Sequence, residues 1–168
     1  MKSSTTESPV STIQAFISTG DTLKNWQGHR QLTRRVIEAF PEDKLFTYSI
    51  GGMRPFGEMA LEMLGMAVPG LKGIVTGKWD AFADHERPAS KADLLRAWDE
   101  TTAQIDELWP KIATSRFQDV EVAFGQYENP NYATILYFIE NEIHHRGQGY
   151  VYLRSLGIEP PPFWERFV

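Results

Sequence analysis

The chain is predicted to be all-α, a four-helix bundle in up-down-down-up order. Three observations predict it. Apolar residues recur at three- and four-residue spacing through most of the chain. Four such segments, each long enough for a bundle helix, are separated by breaks containing Pro and Gly. With 168 residues, 42% hydrophobic and 23% charged, the chain can build one domain with a sizeable core, so residues 1–168 are expected to form a single domain. The Ser/Thr-rich first dozen residues have no such period and are expected to be loosely ordered.

The first helix is expected from Thr19 or Asp21 to Phe40, where Pro41 stops it, with Leu23, Trp26, His29/Arg30, Thr33, Ile37 and Phe40 on its recurring face. The second starts near Pro55, carries Met59, Met63 and Met66 on one side as core filler, and ends before Pro69. The third follows Pro88, with Ser90 as N-cap and Asp93 placed to favour the helix dipole, and ends before Lys111–Thr114. The fourth opens at Asn129-Pro130 and is capped at Gly157. At about 27 residues it spans roughly 40 Å and is the longest element. The segment "VPGLKGIVTGKWDAFADHERPA" is longer than a helical hairpin needs, although part of it could be helical, and it permits helices two and three to run parallel. "RFQDVEVAFGQY" alternates briefly but reads as a loop. In the tail "PPPFWERFV", Phe163 and Trp164 are too apolar to leave in water, so the tail is expected to fold back.

Charge and composition exclude several functions. A net charge of −5 offers no footprint for a polyanion, so no nucleic-acid partner is expected. No run approaches the roughly 18 apolar residues of a membrane span, and the first twenty residues lack the apolar core of a signal peptide. With no cysteine there are no disulfides, thiolate nucleophiles or Cys-type metal sites, which fits a cytoplasmic protein. "GIVTGKW" is one residue short of a phosphate loop and carries Trp79 where Ser or Thr should hold magnesium. His29 and His85 stand alone and read as surface positions.

The informative chemistry lies in "NEIHHRGQGYVYLR", residues 141–154. Projected at 100° per residue, Tyr132, Ile135, Leu136, Ile139, Ile143, Tyr150 and Leu153 form the expected core stripe, with Glu142 and Arg146 inside it as an internal ion pair at i, i+4. Beside the stripe, Phe138, Asn141, His145 and Tyr152 share an edge, while His144 points away. The adjacent histidines therefore cannot chelate one ion, whereas Asn141 and His145 can present two ligands to one point. On the second helix, Glu62 flanks the methionine face with Glu58 one turn before it. It reads either as a snorkelling or paired carboxylate or as a metal ligand or general base. Gly147 would let a neighbouring helix approach, and Gln148 would satisfy a nearby polar group.

"HHRGQGYVYLRSLGIEPPPFWE" resembles the last helix of the DinB/YfiT-like family of metal-dependent four-helix bundles, and "RPFGEMALEMLGMAVPGL" resembles its second. The similarity spans residues 20 to 166. It implies the up-down-down-up bundle, often dimeric, with a divalent metal held by one His of helix two and an H-x₃-H pair of helix four. The His before Arg-Gly-Gln falls on His145, the first of the pair on Asn141 and the helix-two His on Glu62. The implied metal set is therefore Glu62, Asn141 and His145, departing from the common pattern at two of three positions. A related enzyme, mycothiol-dependent maleylpyruvate isomerase, has a glutamate in place of one His. An amide is a poor donor for nickel or zinc, so the set suits manganese or another hard ion, or holds metal weakly, or is an extinct site whose three groups simply hydrogen-bond.

Two functions follow from the resemblance. One is a metal-dependent transferase or hydrolase that joins a low-molecular-weight thiol to a small-molecule substrate, the metal lowering the pKa of thiol or water. The other is a non-catalytic, dimeric, stress-related binding protein with a degenerate metal site. A homodimer is expected because helix four carries Tyr137, Phe138, Val151 and Tyr152 beyond its core stripe.

Overall fold

The structure, a computed structural model, describes residues 16–82 and 86–167. The expectations for the first dozen residues and for His85 fall outside those residues. Four helices dominate: α1 (Thr19–Ala39), α2 (Phe56–Thr76), α3 (Lys91–Leu108) and α4 (Asn131–Ser155). Short 3₁₀ turns at Trp109–Lys111 and Thr114–Gln118 lead from α3 into a hairpin of β1 (Val120–Ala123) and β2 (Tyr127–Pro130).

Local chemistry sets the helix ends. Ser18 and Asp21 form a capping box, in which the Asp21 N–H donates to Ser18 Oγ (3.0 Å) and the Ser18 N–H donates to Asp21 Oδ2 (3.1 Å). Ser90 caps α3 by accepting from the Asp93 N–H at 3.1 Å. At the end of α4, Gly157 takes a left-handed φ of 76°. The Ile158 N–H donates to Leu153 O and the Gly157 N–H to Arg154 O, a Schellman closure.

Three sequence expectations are corrected. Helix α2 does not end before Pro69 but continues to Thr76 and Gly77. One missing N–H removes one hydrogen bond, and burial of Leu71 and Ile74 in the core outweighs that loss. The α2–α3 connection therefore begins only at Gly77, and the first four residues of "GIVTGKW" form the last turn of α2. Residues 120–130 form an antiparallel hairpin rather than a loop, so the fold is not purely helical. Phe124 (φ 53°) and Gly125 (φ 71°) take positive φ in succession, and burial of the Phe124 ring against Phe82, 3.9 Å between centroids, offsets that backbone cost. The hairpin takes up Asn129 and Pro130, so α4 starts at Asn131 rather than Asn129. At 25 residues it is still the longest helix.

The buried face of α4 is also rotated from the expected stripe. Tyr132, Leu136 and Ile143 are exposed, while Phe138, Glu142, His145, Gly149 and Tyr152 face inward with Ile135, Ile139 and Leu153. Apolar residues are spread around most of this helix, so their period alone does not set its phase. Close approaches set it instead. The Phe138 ring lies on Gly70 and the Phe56 ring on Gly149, where a Cβ would come within 2.6 Å of Phe56 Cε2. Gly147, expected to admit a helix, faces open space.

Helices α1 and α2 each pack against both α3 and α4. The core falls into two apolar clusters. One is built around Trp26, Leu71, Ile105, Trp109 and Phe138, the other around Phe40, Phe56, Met59, Trp98 and Tyr152. Between them along α1 and α4 lie the buried polar residues His29, Arg30, Thr33, Glu142 and Arg146. Against the sequence expectation, α2 does have the length and apolarity of a membrane span, alone among the described helices, but 67% of that stretch is buried inside the fold, as in a core helix.

Candidate functional site

Glu62, Asn141 and His145 converge. His145 is buried on α4 and its Nε2 lies 3.1 Å from Glu62 Oε1; Asn141 Nδ2 donates to the same oxygen at 3.4 Å. The other carboxylate oxygen belongs to Arg54, whose Nη2 lies 2.5 Å from Oε2. Gln148, one turn beyond His145, places Oε1 2.8 Å from Nδ1, and its Nε2 donates to Met53 Sδ at 3.5 Å. Tyr152 adds a hydrogen bond from its hydroxyl to Arg54 O at 3.0 Å. Helix α4 thus holds the segment before α2 by two side chains, and that segment delivers the guanidinium.

These partners set the electrostatics. The hydrogen bond from His145 and the Arg54 guanidinium hold the Glu62 carboxyl down to about 2, against the opposing effect of partial burial. With both carboxylate oxygens already accepting hydrogen bonds and the half-exposed Arg54 guanidinium paired with one of them, the set as arranged does not fit a divalent ion. Asn141 presents its amide nitrogen, which is no ligand, and turning the amide would set two oxygens against each other. Among the described residues no three His, Cys, Asp or Glu side chains gather closely enough to hold a metal. What the cluster can do is accept and donate hydrogen bonds around an anchored carboxylate. Arg54 had no signal in the sequence, because eight residues across a helix start bring it to Glu62 only through the fold.

A second polar cluster joins α1 to α4. Glu142 is 2% exposed, accepts from Thr33 Oγ1 at 2.7 Å, and lies 3.9 Å from both Arg30 and Arg146. The expected Glu142–Arg146 pair is thus part of a network. Burial pushes the Glu142 carboxyl up and lowers Arg30 to about 10, each partly offset by the other's charge. Arg30 also donates to Trp98 O at 2.9 Å and stacks 3.7 Å above the Trp98 ring. His29, expected at the surface, is 8% exposed, and burial, Arg146 and Arg166 depress it to about 4. Its two ring nitrogens face Arg146 Nη2 at 2.9 Å and Arg166 Nη1 at 3.0 Å. The tail does fold back, but through Arg166 and Phe167, whose ring lies on Gly28; Phe163 and Trp164 stay 68% and 69% exposed.

The model of the DinB family matches residues 15–167. The chain belongs to the DinB family. Two solved structures share its fold. A DinB-like protein from Bacillus cereus ATCC 10987 is 19% identical with a TM-score of 0.69, the match covering 85% of this chain and 95% of that one. The DinB-like protein YjoA from Bacillus subtilis is 16% identical with a TM-score of 0.65, covering 86% and 97%. No curated protein matches. At those identities the likeness carries the fold and no activity, so the chemistry of this DinB-family chain rests on its own residues.

Proposed function

We propose that this DinB-family protein is a non-catalytic, dimeric small-molecule binding protein of the cytoplasm, its metal site converted into a metal-free polar cluster. The observation that carries this reading is the Arg54 guanidinium 2.5 Å from Glu62 Oε2. A guanidinium there supplies the positive charge a metal would bring, but it has no open coordination position at which to activate a thiol or a water.

The expected helix order and the dimer belong to the same reading. Side-chain contacts step in opposite directions along α1 and α3 (Gln27 with Asp106, Arg34 with Asp99) and along α2 and α4 (Gly70 with Phe138, Gly57's neighbour Phe56 with Gly149). They step in the same direction along α1 and α4 (Trp26 near Phe138, Thr33 with Glu142), which supports up-down-down-up order. Tyr132 and Leu136, each more than 40% exposed on α4, support a homodimer that covers them. Phe138 and Tyr152, which the sequence also put outside the core stripe, are core residues.

The second reading, a thiol transferase or hydrolase with nickel, zinc or manganese, rests on the same convergence of Glu62, Asn141 and His145 and requires Arg54 to leave Glu62 Oε2 so that the carboxylate is free to ligate. Equilibrium dialysis of untagged protein against each ion, followed by elemental analysis, decides between them. The metal-free reading expects well below one ion per chain at micromolar free metal; one tightly held ion per chain would overturn it.

A further inference from the structure

On the α1 side of α4, away from Glu62, the folded-back tail roofs an open groove of about 370 Å³ lined by His29, Ile143, Arg146, Phe163, Trp164 and Arg166. In the polar half of this groove Arg146 Nη1 donates to Thr33 Oγ1 (3.0 Å) and His29 O (3.4 Å), but His29 itself is caught between two donors. A neutral imidazole has one N–H and one acceptor nitrogen. Yet His29 faces a guanidinium at both: Arg146 Nη2 at Nδ1 and Arg166 Nη1 at Nε2. Only one of those contacts can be a hydrogen bond, and at the other two donors oppose each other. Carboxylates do not relieve this. Glu142 is buried, lies 3.9 Å from Arg146 and serves Arg30 at the same distance; Glu165 faces Arg35 at 4.0 Å. Arg166 finds one further acceptor, Asn25 Oδ1 at 2.8 Å. The apolar half is equally unfinished. Phe163 and Trp164 meet edge to face, 5.2 Å between centroids, and both remain mostly exposed beside Ile143.

We propose that this groove binds a small aromatic carboxylate, its anionic head accepting from Arg166 and from the Nε2–H of His29, and its ring lying on Ile143, Phe163 and Trp164. The arrangement resolves the donor conflict. His29 Nδ1 keeps accepting from Arg146, the Arg166 guanidinium swings off Nε2 to pair with the carboxylate, and the freed Nε2–H donates to that carboxylate. A volume near 370 Å³ is at the small end of ligand sites, which suits a single ring with its acid group. The inference is independent of the Glu62 cluster and of the metal question.

The test uses the full chain and benzoate, with the isosteric neutral benzamide and the ringless acetate as comparisons, read by titration calorimetry and by the ¹⁵N shifts of the His29 ring. Benzoate is expected to bind one per chain with a dissociation constant below about 1 mM and to move His29 toward the Nε2–H tautomer. Benzamide and acetate should each bind at least about tenfold more weakly. Arg166→Gln, which alters the tail and not the core, should weaken benzoate by at least about tenfold, and Trp164→Ala should weaken benzoate more than acetate. Equal affinity for benzoate and benzamide, unchanged affinity in Arg166→Gln, or no benzoate binding up to about 10 mM overturns the proposal.

Discussion

Arg54 lies 2.5 Å from Glu62, and it reaches that carboxylate from a segment that Tyr152 and Gln148 tie to α4. Glu62 is therefore neutralised from within the chain. If the guanidinium and the amide of Asn141 are what bar a metal, removing both should admit one. Arg54→Met with Asn141→His leaves a carboxylate and an i, i+4 imidazole pair, and its zinc and nickel affinity is expected to rise by at least about tenfold. Asn141→His with Glu62→His should do the same through three imidazoles. Competition against a chromophoric chelator measures both. A double variant that folds yet takes up no more metal than wild type would show that the three positions do not form the family's metal framework.

Glu142 balances two buried guanidiniums. Glu142→Gln leaves Arg30 and Arg146 without a counter-charge in the interior, so a loss of about 3–5 kcal/mol in unfolding free energy is expected. Urea unfolding monitored by tryptophan fluorescence gives the value. A loss under about 1 kcal/mol would mean that water or Thr33 already compensates those charges.

Two glycines of one helix should respond with opposite sign. Gly149→Ala drives a Cβ to 2.6 Å from Phe56, a fully buried ring stacked on Phe40, and is expected to cost about 1–3 kcal/mol. Gly147→Ala meets nothing within 4 Å and should stabilise α4 by up to about 1 kcal/mol through helix propensity. Thermal unfolding of the pair checks both, and a stabilised Gly149→Ala would place Phe56 elsewhere.

The acid limb of stability should carry the mark of His29. Its folded value, about 4, lies below the ordinary 6.5, so the unfolded chain takes up the proton first. The contribution is complete above pH 6.5 and is lost as the pH falls toward 4. Glu62, held down to about 2 from 4.5, acts in the same direction but lower, with loss beginning only below pH 4.5. The urea midpoint of wild type should fall between pH 6.5 and 4.5, and His29→Gln should flatten that part of the profile. Parallel profiles for the two proteins would show that His29 is not held neutral.

Much of this was legible before any tertiary structure. Helix spacing, Ser90 as a cap, Gly157 as a stop and the buried methionines of α2 follow from periodicity and local hydrogen bonding, which act within a few residues. The convergence of Glu62, Asn141 and His145 was legible from resemblance, and the i, i+4 step from Asn141 to His145 needs only a helix. Distant neighbours decided the rest. The phase of α4 came from ring-on-glycine contacts with α2, because a helix apolar on most sides carries no dominant face of its own. Continuation of α2 through Pro69 came from core packing, and the hairpin from the Phe124 ring finding Phe82. Arg54 at Glu62, and His29 between two arginines, join residues that no sequence period relates. Charge pairing across a fold depends on where chains meet, and only the assembled helices bring those groups within reach.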